Sequence, residues 1–122
     1  MLLNNFYSVV STIQVDGTYI TTLTINNAHE LYQGHFPGRP VTPGVILMLL
    51  FKEEAERVSK RDLELHKASN VKFTAVVDPN LDKKLILKSQ IEEGEGIIIL
   101  KGTAENNSSI AIKIQAVYKI KN

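Results

Sequence analysis

The 122-residue sequence contains no cysteine. This absence excludes disulfides, thiolate metal sites and cysteine nucleophiles, and it is typical of a reducing compartment. The net charge of +1 provides no field that would attract nucleic acid or an anionic membrane. The longest apolar run, Val45 to Phe51, is too short to cross a bilayer, and the N-terminus has no signal-peptide pattern. We therefore expect a cytoplasmic protein with no membrane span and no nucleic-acid partner.

The composition and the length are those of one globular domain, which we expect to occupy residues 1–122. Two β-branched stretches, Tyr7 to Val15 and Tyr19 to Ile25, are separated by Asp16-Gly17. An Asp-Gly pair between such runs predicts a β-hairpin. Further along, Asn27 and Glu30 have the spacing of a capping box and predict a short helical turn over residues 28–33.

A helix is predicted from Pro43 to about Lys60, with Thr42 as its cap and Pro43 at the first helical position. Its first half, Val45 to Phe51, is apolar on every side, which predicts full burial. Its second half carries the charged residues Lys52, Glu53, Glu54, Glu56 and Arg57, which we expect in water.

The second half of the chain predicts strands over residues 69–77, 84–91, 96–104 and 108–120. Ile97 to Leu100 is uniformly apolar and predicts burial on both faces of its strand. Because an apolar helix must be enclosed, we expect an α+β fold in which a curved antiparallel sheet wraps around one long central helix.

The sequence has three histidines, His29, His35 and His66, and only His35 has unusual surroundings. Gly34 precedes it, and prolines at 37, 40 and 43 stiffen the chain that follows. Gly44 then offers an N–H group at the positive end of a helix dipole. A histidine base beside such a donor suits proton abstraction next to a thioester carbonyl. The alternative is that the prolines merely turn the chain from strand to helix. His29 and His66 are predicted to be surface or capping residues.

The segment from His35 to Val45, HFPGRPVTPGV, resembles the signature of the (R)-3-hydroxyacyl-acyl-carrier-protein dehydratases of type II fatty acid synthesis. The likeness continues in Tyr32-Gln33-Gly34 and in KASNVKF, residues 67–73, followed by Asp78-Pro79. That family has the hotdog fold, which contains the sheet-wrapped helix expected above. The signature is highly specific for this fold and less specific for activity, because hotdog proteins also include thioesterases and binding proteins.

The resemblance implies that His35 removes the α-proton and that the N–H of Gly44 holds the thioester carbonyl. It also implies a dimer formed by edge-to-edge sheet pairing, or a higher oligomer of dimers, with each tunnel between subunits. The substrate is carried on acyl carrier protein, and no metal or other cofactor is needed. Arg39 is expected at the tunnel entrance, where it would meet the phosphopantetheine phosphate. The other expected substrate contacts are Phe36, Pro43, Val45 and Leu49.

One position departs from the family pattern. The family has an acidic residue fourteen positions after the histidine, and this chain has Leu49 there. Glu53 lies one helical turn further along and is the candidate replacement acid, with a solvated helix end as the alternative. A solvated position is predicted for Glu54 and Glu56.

Three functions follow. The first is a dehydratase with His35 as base and Glu53 or water as acid, and small proteins of this kind resemble those dedicated to specialised lipids or aryl-polyene-type pigments. The second is a weak or inactive acyl-thioester-binding or partner subunit. A thioester hydrolase ranks last, because Leu49 removes a water activator.

Overall fold

A computed structural model describes residues 3–32 and 41–121. The elements in chain order are β1 (Tyr7–Val15), β2 (Thr18–Ile25), a short 3-10 turn (Glu30–Tyr32), α1 (Gly44–Ser59), β3 (Leu63–Phe73), β4 (Lys84–Glu93), β5 (Ile97–Asn106) and β6 (Ser109–Ile120). Along these ranges, no helix has the length and the apolar character needed to cross a membrane.

The six strands form one antiparallel sheet in the order β1-β2-β4-β5-β6-β3. One face of this sheet packs against α1, and its inward side chains build the core together with Leu47, Leu50 and Phe51 of the helix. The α+β architecture predicted from the sequence, a sheet wrapped around one central helix, is therefore confirmed. The core is closed by inward residues of the four inner strands, among them Leu23, Leu85, Leu87, Ile98, Leu100, Ile112 and Tyr118.

The predicted hairpin between β1 and β2 is confirmed. Asp16 and Gly17 form its two-residue turn, and both have positive φ, 49° and 80°. Two positive φ values match the right-handed twist of the flanking strands, which explains why Asp-Gly is favoured there. The predicted capping box is wrong: Asn26 Oδ1 accepts from the Ala28 N–H, while Asn27 bonds to a side chain elsewhere.

Two strand predictions need correction. The strand after the helix begins at Leu63 and ends at Phe73, so it starts six residues before the predicted Ser69 and places His66 within a strand. Its first four residues, Leu63 to His66, alternate apolar and polar side chains, and Leu63 is the buried one among them. Ile99 is 41% exposed between buried Ile98 and Leu100, so residues 97–100 are covered on one face and not on both. Within residues 3–32 and 41–121, no helix packs against the outer face of the sheet.

The helix begins one residue later than predicted. Pro43 is the N-cap residue in an extended conformation, and Thr42 makes no capping hydrogen bond. Instead, the Thr42 N–H donates to Val77 O at 3.0 Å, and its hydroxyl is 2.8 Å from the Tyr32 hydroxyl. Because Tyr32 and Thr42 are both buried, this pairing satisfies two polar groups and anchors the chain where it enters α1. Lys60, at φ 59°, ends the helix and donates to Glu56 O.

Candidate functional site

The N-terminus of α1 lies against the end of β3. A methyl group built on Gly44 would lie 2.7 Å from Cζ of Phe73, the last residue of that strand. Glycine therefore permits a close approach between the helix and the aromatic ring. The N–H of Gly44 belongs to the first helical turn, whose donors have no intrahelical acceptor and lie at the positive end of the helix dipole. This donor is suited to an oxygen that gains negative charge.

An apolar groove of about 120 Å³ runs along the helix from this point. Helix residues at spacings of three and four form one wall, and residues of β3 and β6 form the other. Among the described residues that line it, Lys52 carries the charge. An elongated apolar groove next to a helix N-terminus suits an acyl chain with a polar head. The lining residues are Val45, Met48, Leu49, Lys52, Leu65, Ile114 and Tyr118.

The groove corrects the prediction that Val45 to Phe51 is fully buried. Ile46, Leu47, Leu50 and Phe51 are buried, but Val45 is 64% exposed and Met48 and Leu49 are half-buried. The sheet covers one side of α1 and leaves the stripe beside β3 open. Local sequence does not indicate this, because every residue of the run is apolar.

Glu53 lies away from the groove contacts and is 3% exposed. Its Oε2 accepts from the Leu3 N–H at 3.1 Å, and its Oε1 accepts from the Tyr7 hydroxyl at 2.7 Å. Burial, reinforced by the hydrogen bond to Glu53, raises the pKa of Tyr7 to about 12. The carboxylate therefore joins the helix to the segment that leads into β1.

The predicted solvated position of Glu54 is wrong. Glu54 is fully buried, accepts from the Thr21 hydroxyl at 2.6 Å, and pairs with Arg57 one turn along the helix. The β1–β2 hairpin covers this half of α1, which is why a charged stretch is enclosed. Glu56 is half-buried and accepts from Lys52 and from the Leu63 N–H at 3.1 Å.

The predicted base His35 and the predicted contacts Phe36 and Arg39 lie outside the described residues, so their roles stay predictions. Of the other predicted site residues, Pro43 and Gly44 lie at the helix N-terminus, and Val45 and Leu49 line the groove. The other two histidines fit the predicted surface or capping roles. His29 Nδ1 accepts from the Leu31 N–H, and His66 is exposed.

Three further neighbours of the site, Phe73, Leu65 and Tyr118, are not predicted by the sequence. Phe73 lies in a predicted strand, but nothing in the sequence indicates that its ring lies over Gly44. Leu65 was missed because the strand start was placed too late. Tyr118 sits directly opposite Leu65 in the β3–β6 register, so an earlier start for β3 would have brought both to the groove.

Comparison with protein families matches residues 12–112 to the family described as ApeI-like, ApeI dehydratase. Among curated proteins, the 3-hydroxyacyl-[acyl-carrier-protein] dehydratase FabZ of Roseobacter denitrificans is 33% identical over 86 residues, which cover 66% of this chain and 55% of that protein. FabZ of Lactococcus lactis subsp. cremoris is 32% identical over 104 residues, covering 85% of this chain and 66% of that protein. The chain thus spans less than two thirds of each relative.

Solved structures share the fold. The dehydratase heterocomplex ApeI:P from Xenorhabdus doucetiae contains a chain with a TM-score of 0.72 and 18% identity, and the match covers 92% of this chain and 96% of that one. A hypothetical thioesterase protein from Streptococcus pneumoniae, solved with coenzyme A, has a TM-score of 0.64 and 16% identity, covering 95% and 89%. At these identities the structures establish the hotdog fold alone.

Proposed function

Because the chain belongs to the ApeI-like dehydratase family, we propose that it removes water from 3-hydroxyacyl thioesters to give 2-enoyl thioesters. The observation that carries this proposal is the apolar groove whose first helix residue, Val45, directly follows Gly44 at the helix N-terminus. The groove would hold the acyl chain, and the helix N-terminus would hold the thioester head. The prediction that Val45 and Leu49 contact the substrate is supported by their position in the lining of this groove.

In the proposed reaction, His35 takes the proton from the α-carbon as general base. The electron pair moves toward the thioester carbonyl, whose oxygen gains negative charge and accepts a hydrogen bond from the Gly44 N–H. The β-carbon to oxygen bond then breaks, the double bond forms between the α- and β-carbons, and the hydroxyl leaves with a proton as water. Pro43 holds the helix start, and Phe36 lies next to the base in the sequence.

The reaction also needs a group that gives a proton to the leaving hydroxyl. Leu49, at the family's acid position, carries no proton to give. Glu53 is the acid predicted from the sequence, yet both of its oxygens already accept hydrogen bonds within the same subunit. These contacts favour water, or the proton that His35 has just removed, as the source. Loss of an acid catalyst costs about 10²–10⁴-fold in rate, so we expect slow turnover.

Purified protein incubated with a 3-hydroxyacyl thioester on acyl carrier protein, or on pantetheine, should form the conjugated enoyl thioester, measured by its absorbance and by mass. His35→Asn should abolish this, while His66→Asn, at an exposed position, is the matched control. A His35→Asn variant with wild-type turnover would show that the base is assigned wrongly. Release of free thiol measured in the same assay detects hydrolysis, the function ranked last.

Glu53→Gln tests the acid. The amide oxygen can still accept from the Leu3 N–H, and the amide NH2 can donate to the Tyr7 hydroxyl oxygen, so the fold is retained. If Glu53 is the acid, turnover should fall by about 10²-fold or more. If water or His35 supplies the proton, turnover should stay within a few-fold of wild type. Melting temperatures of both proteins separate a loss of chemistry from a loss of structure.

A partner subunit that binds the thioester without dehydrating it is the second candidate, and Leu49 is the observation that favours it. The structural relative from Xenorhabdus doucetiae is a dehydratase heterocomplex. In this case the purified chain binds a 3-hydroxyacyl pantetheine, detected by calorimetry, and forms no enoyl product. Turnover by the chain alone contradicts this candidate.

The remaining expectations are part of the same proposal. Acyl carrier protein would deliver the substrate in the cytoplasm, with Arg39 at the phosphopantetheine phosphate, for fatty acid or specialised lipid synthesis. A homodimer paired along β3 is supported by the position of this strand at the sheet edge and by Leu65, which lines the groove. That pairing would place the groove of α1 at the subunit boundary.

A further inference from the structure

The edge opposite β3 is formed by β1, which pairs with β2 on one side. After Tyr7, every residue of β1 is exposed. Four of them are large and apolar, with exposed fractions of 40% for Val9, 63% for Val10, 55% for Ile13 and 48% for Val15. An edge strand presents a row of unpaired N–H and C=O groups that can pair with another strand.

The two edges differ in their protection against such pairing. The β1 sequence YSVVSTIQV contains no charged residue and no proline, and it has one bulge, between Val9 and Ser11. The β3 sequence LELHKASNVKF contains one glutamate, one histidine and two lysines, and its pairing with β6 has two register shifts. Charges, prolines and bulges are the usual features that prevent an edge strand from pairing with another chain. By this measure β1 is an unprotected edge.

Two of these apolar side chains, Ile13 and Val15, also lie on the uncovered face of the sheet, whereas Val9 is opposite the buried Leu23. Ile13 is directly opposite Ile20, and the next residue of β2, Thr21, points toward the helix, where it bonds to Glu54. Because side chains alternate along a strand, Ile20 and Ile13 point to the outer face. Val15, two residues beyond Ile13, points the same way. No helix covers this face among the described elements.

We propose that β1 pairs antiparallel with β1 of a second copy of this chain, about a two-fold axis. Because the strand is uncharged, self-pairing brings no like charges together. Pairing of β1 with β3 of another copy would be head-to-tail and would occupy the edge beside the groove. The two-fold contact leaves that edge available.

This interface is distinct from the dimer of the proposed function. The groove adjoins β3, while β1 reaches α1 through its first residue, Tyr7, which bonds to Glu53 outside the groove. If the β3 dimer of the proposed function forms, each dimer retains two β1 edges. Alternating two-fold contacts then join dimers into even-numbered rings, or into a ribbon where the rotation does not close.

Ile13→Lys tests the pairing by placing a charge at the interface. Light scattering after size-exclusion chromatography, over a range of protein concentrations, should show wild-type protein at twice or more the mass of the variant. Leu81→Lys is the matched control, because Leu81 is 68% exposed in a turn far from β1 in the sequence, and it should keep the wild-type mass. Equal masses for wild type and Ile13→Lys would overturn the proposal.

The lack of cysteine permits a second test that needs no destabilising change. Spin labels placed separately on Ser11→Cys, Ile13→Cys and Val15→Cys report the distance between copies. On one side of the two-fold axis a two-residue step changes that distance by about 13 Å, because both copies move along the strand. Three equal distances, or no coupling in the purified protein, would refute self-pairing and leave a different protein as the occupant. Neither readout is activity, so failure here is separate from failure of the dehydratase proposal.

Discussion

A methyl group added at either Gly44 or Gly102 would contact a phenylalanine ring, but we expect it to destabilise the fold at Gly102 alone. A Cβ at Gly44 would lie 2.7 Å from Phe73 Cζ, and a Cβ at Gly102 would lie 2.7 Å from Phe51 Cε1. Ordinary carbon contacts are about 3.5–4.0 Å, so each methyl group overlaps a ring by about 1 Å. The response depends on whether that ring can move.

Phe73 is 54% exposed, and its outer ring atoms make the contact, so a rotamer change relieves the overlap. Alanine in a helix is also about 1 kcal/mol more favourable than glycine. We therefore expect Gly44→Ala to change the free energy of unfolding by less than about 1 kcal/mol. Phe51 is fully buried, and the same methyl group at Gly102 would also lie 3.0 Å from the Lys88 carbonyl oxygen. Overpacking of this kind costs about 1–3 kcal/mol.

Thermal unfolding followed by circular dichroism measures the difference. Gly102→Ala should lower the melting temperature by about 3–6 °C for each kcal/mol, while Gly44→Ala should melt near wild type. Gly44→Ala should nevertheless reduce enoyl formation, because the displaced ring and the methyl group crowd the N–H at the proposed thioester head. The reasoning is refuted if Gly44→Ala destabilises more than Gly102→Ala. Phe73→Ala combined with Gly44→Ala is the control, and it should restore any stability lost to the clash.

The other predictions concern buried polar groups. Glu54→Ala should lower the free energy of unfolding by about 2–4 kcal/mol in urea titrations, because it leaves the Thr21 hydroxyl and the half-buried Arg57 without their acceptor. Asn106→Ala should cost about 2–3 kcal/mol, since that buried amide donates to two backbone carbonyls and accepts from one N–H. The pKa of Tyr7 is raised from 10.0 to about 12 in the folded protein. The contribution of Tyr7 to the free energy of unfolding is therefore complete below pH 10 and is lost as pH rises toward 12. Wild type should therefore lose more stability than Tyr7→Phe between those pH values, and parallel curves would contradict the assignment.

Much of the architecture was predictable because it depends on local patterns. Alternation along β4 and β6 predicted both strands, and Asp16-Gly17 predicted the hairpin turn. The helix was placed within one residue at each end. The signature from His35 to Val45 predicted the family, which the match over residues 12–112 confirms. These features are determined by a few adjacent residues, so they do not depend on which distant segments pack against them.

Tertiary structure decided which side of each element is covered. Val45 is exposed although it belongs to an apolar run, and Glu54 is buried although it belongs to a charged one. Both outcomes come from distant segments: the hairpin covers the second half of α1, and the sheet leaves the stripe of Leu49 open beside β3. Thr42 bonds to Tyr32 and not to the helix for the same reason. Burial is set by contacts between residues far apart in sequence, so composition and period determined the elements of this protein, and only packing determined its groove.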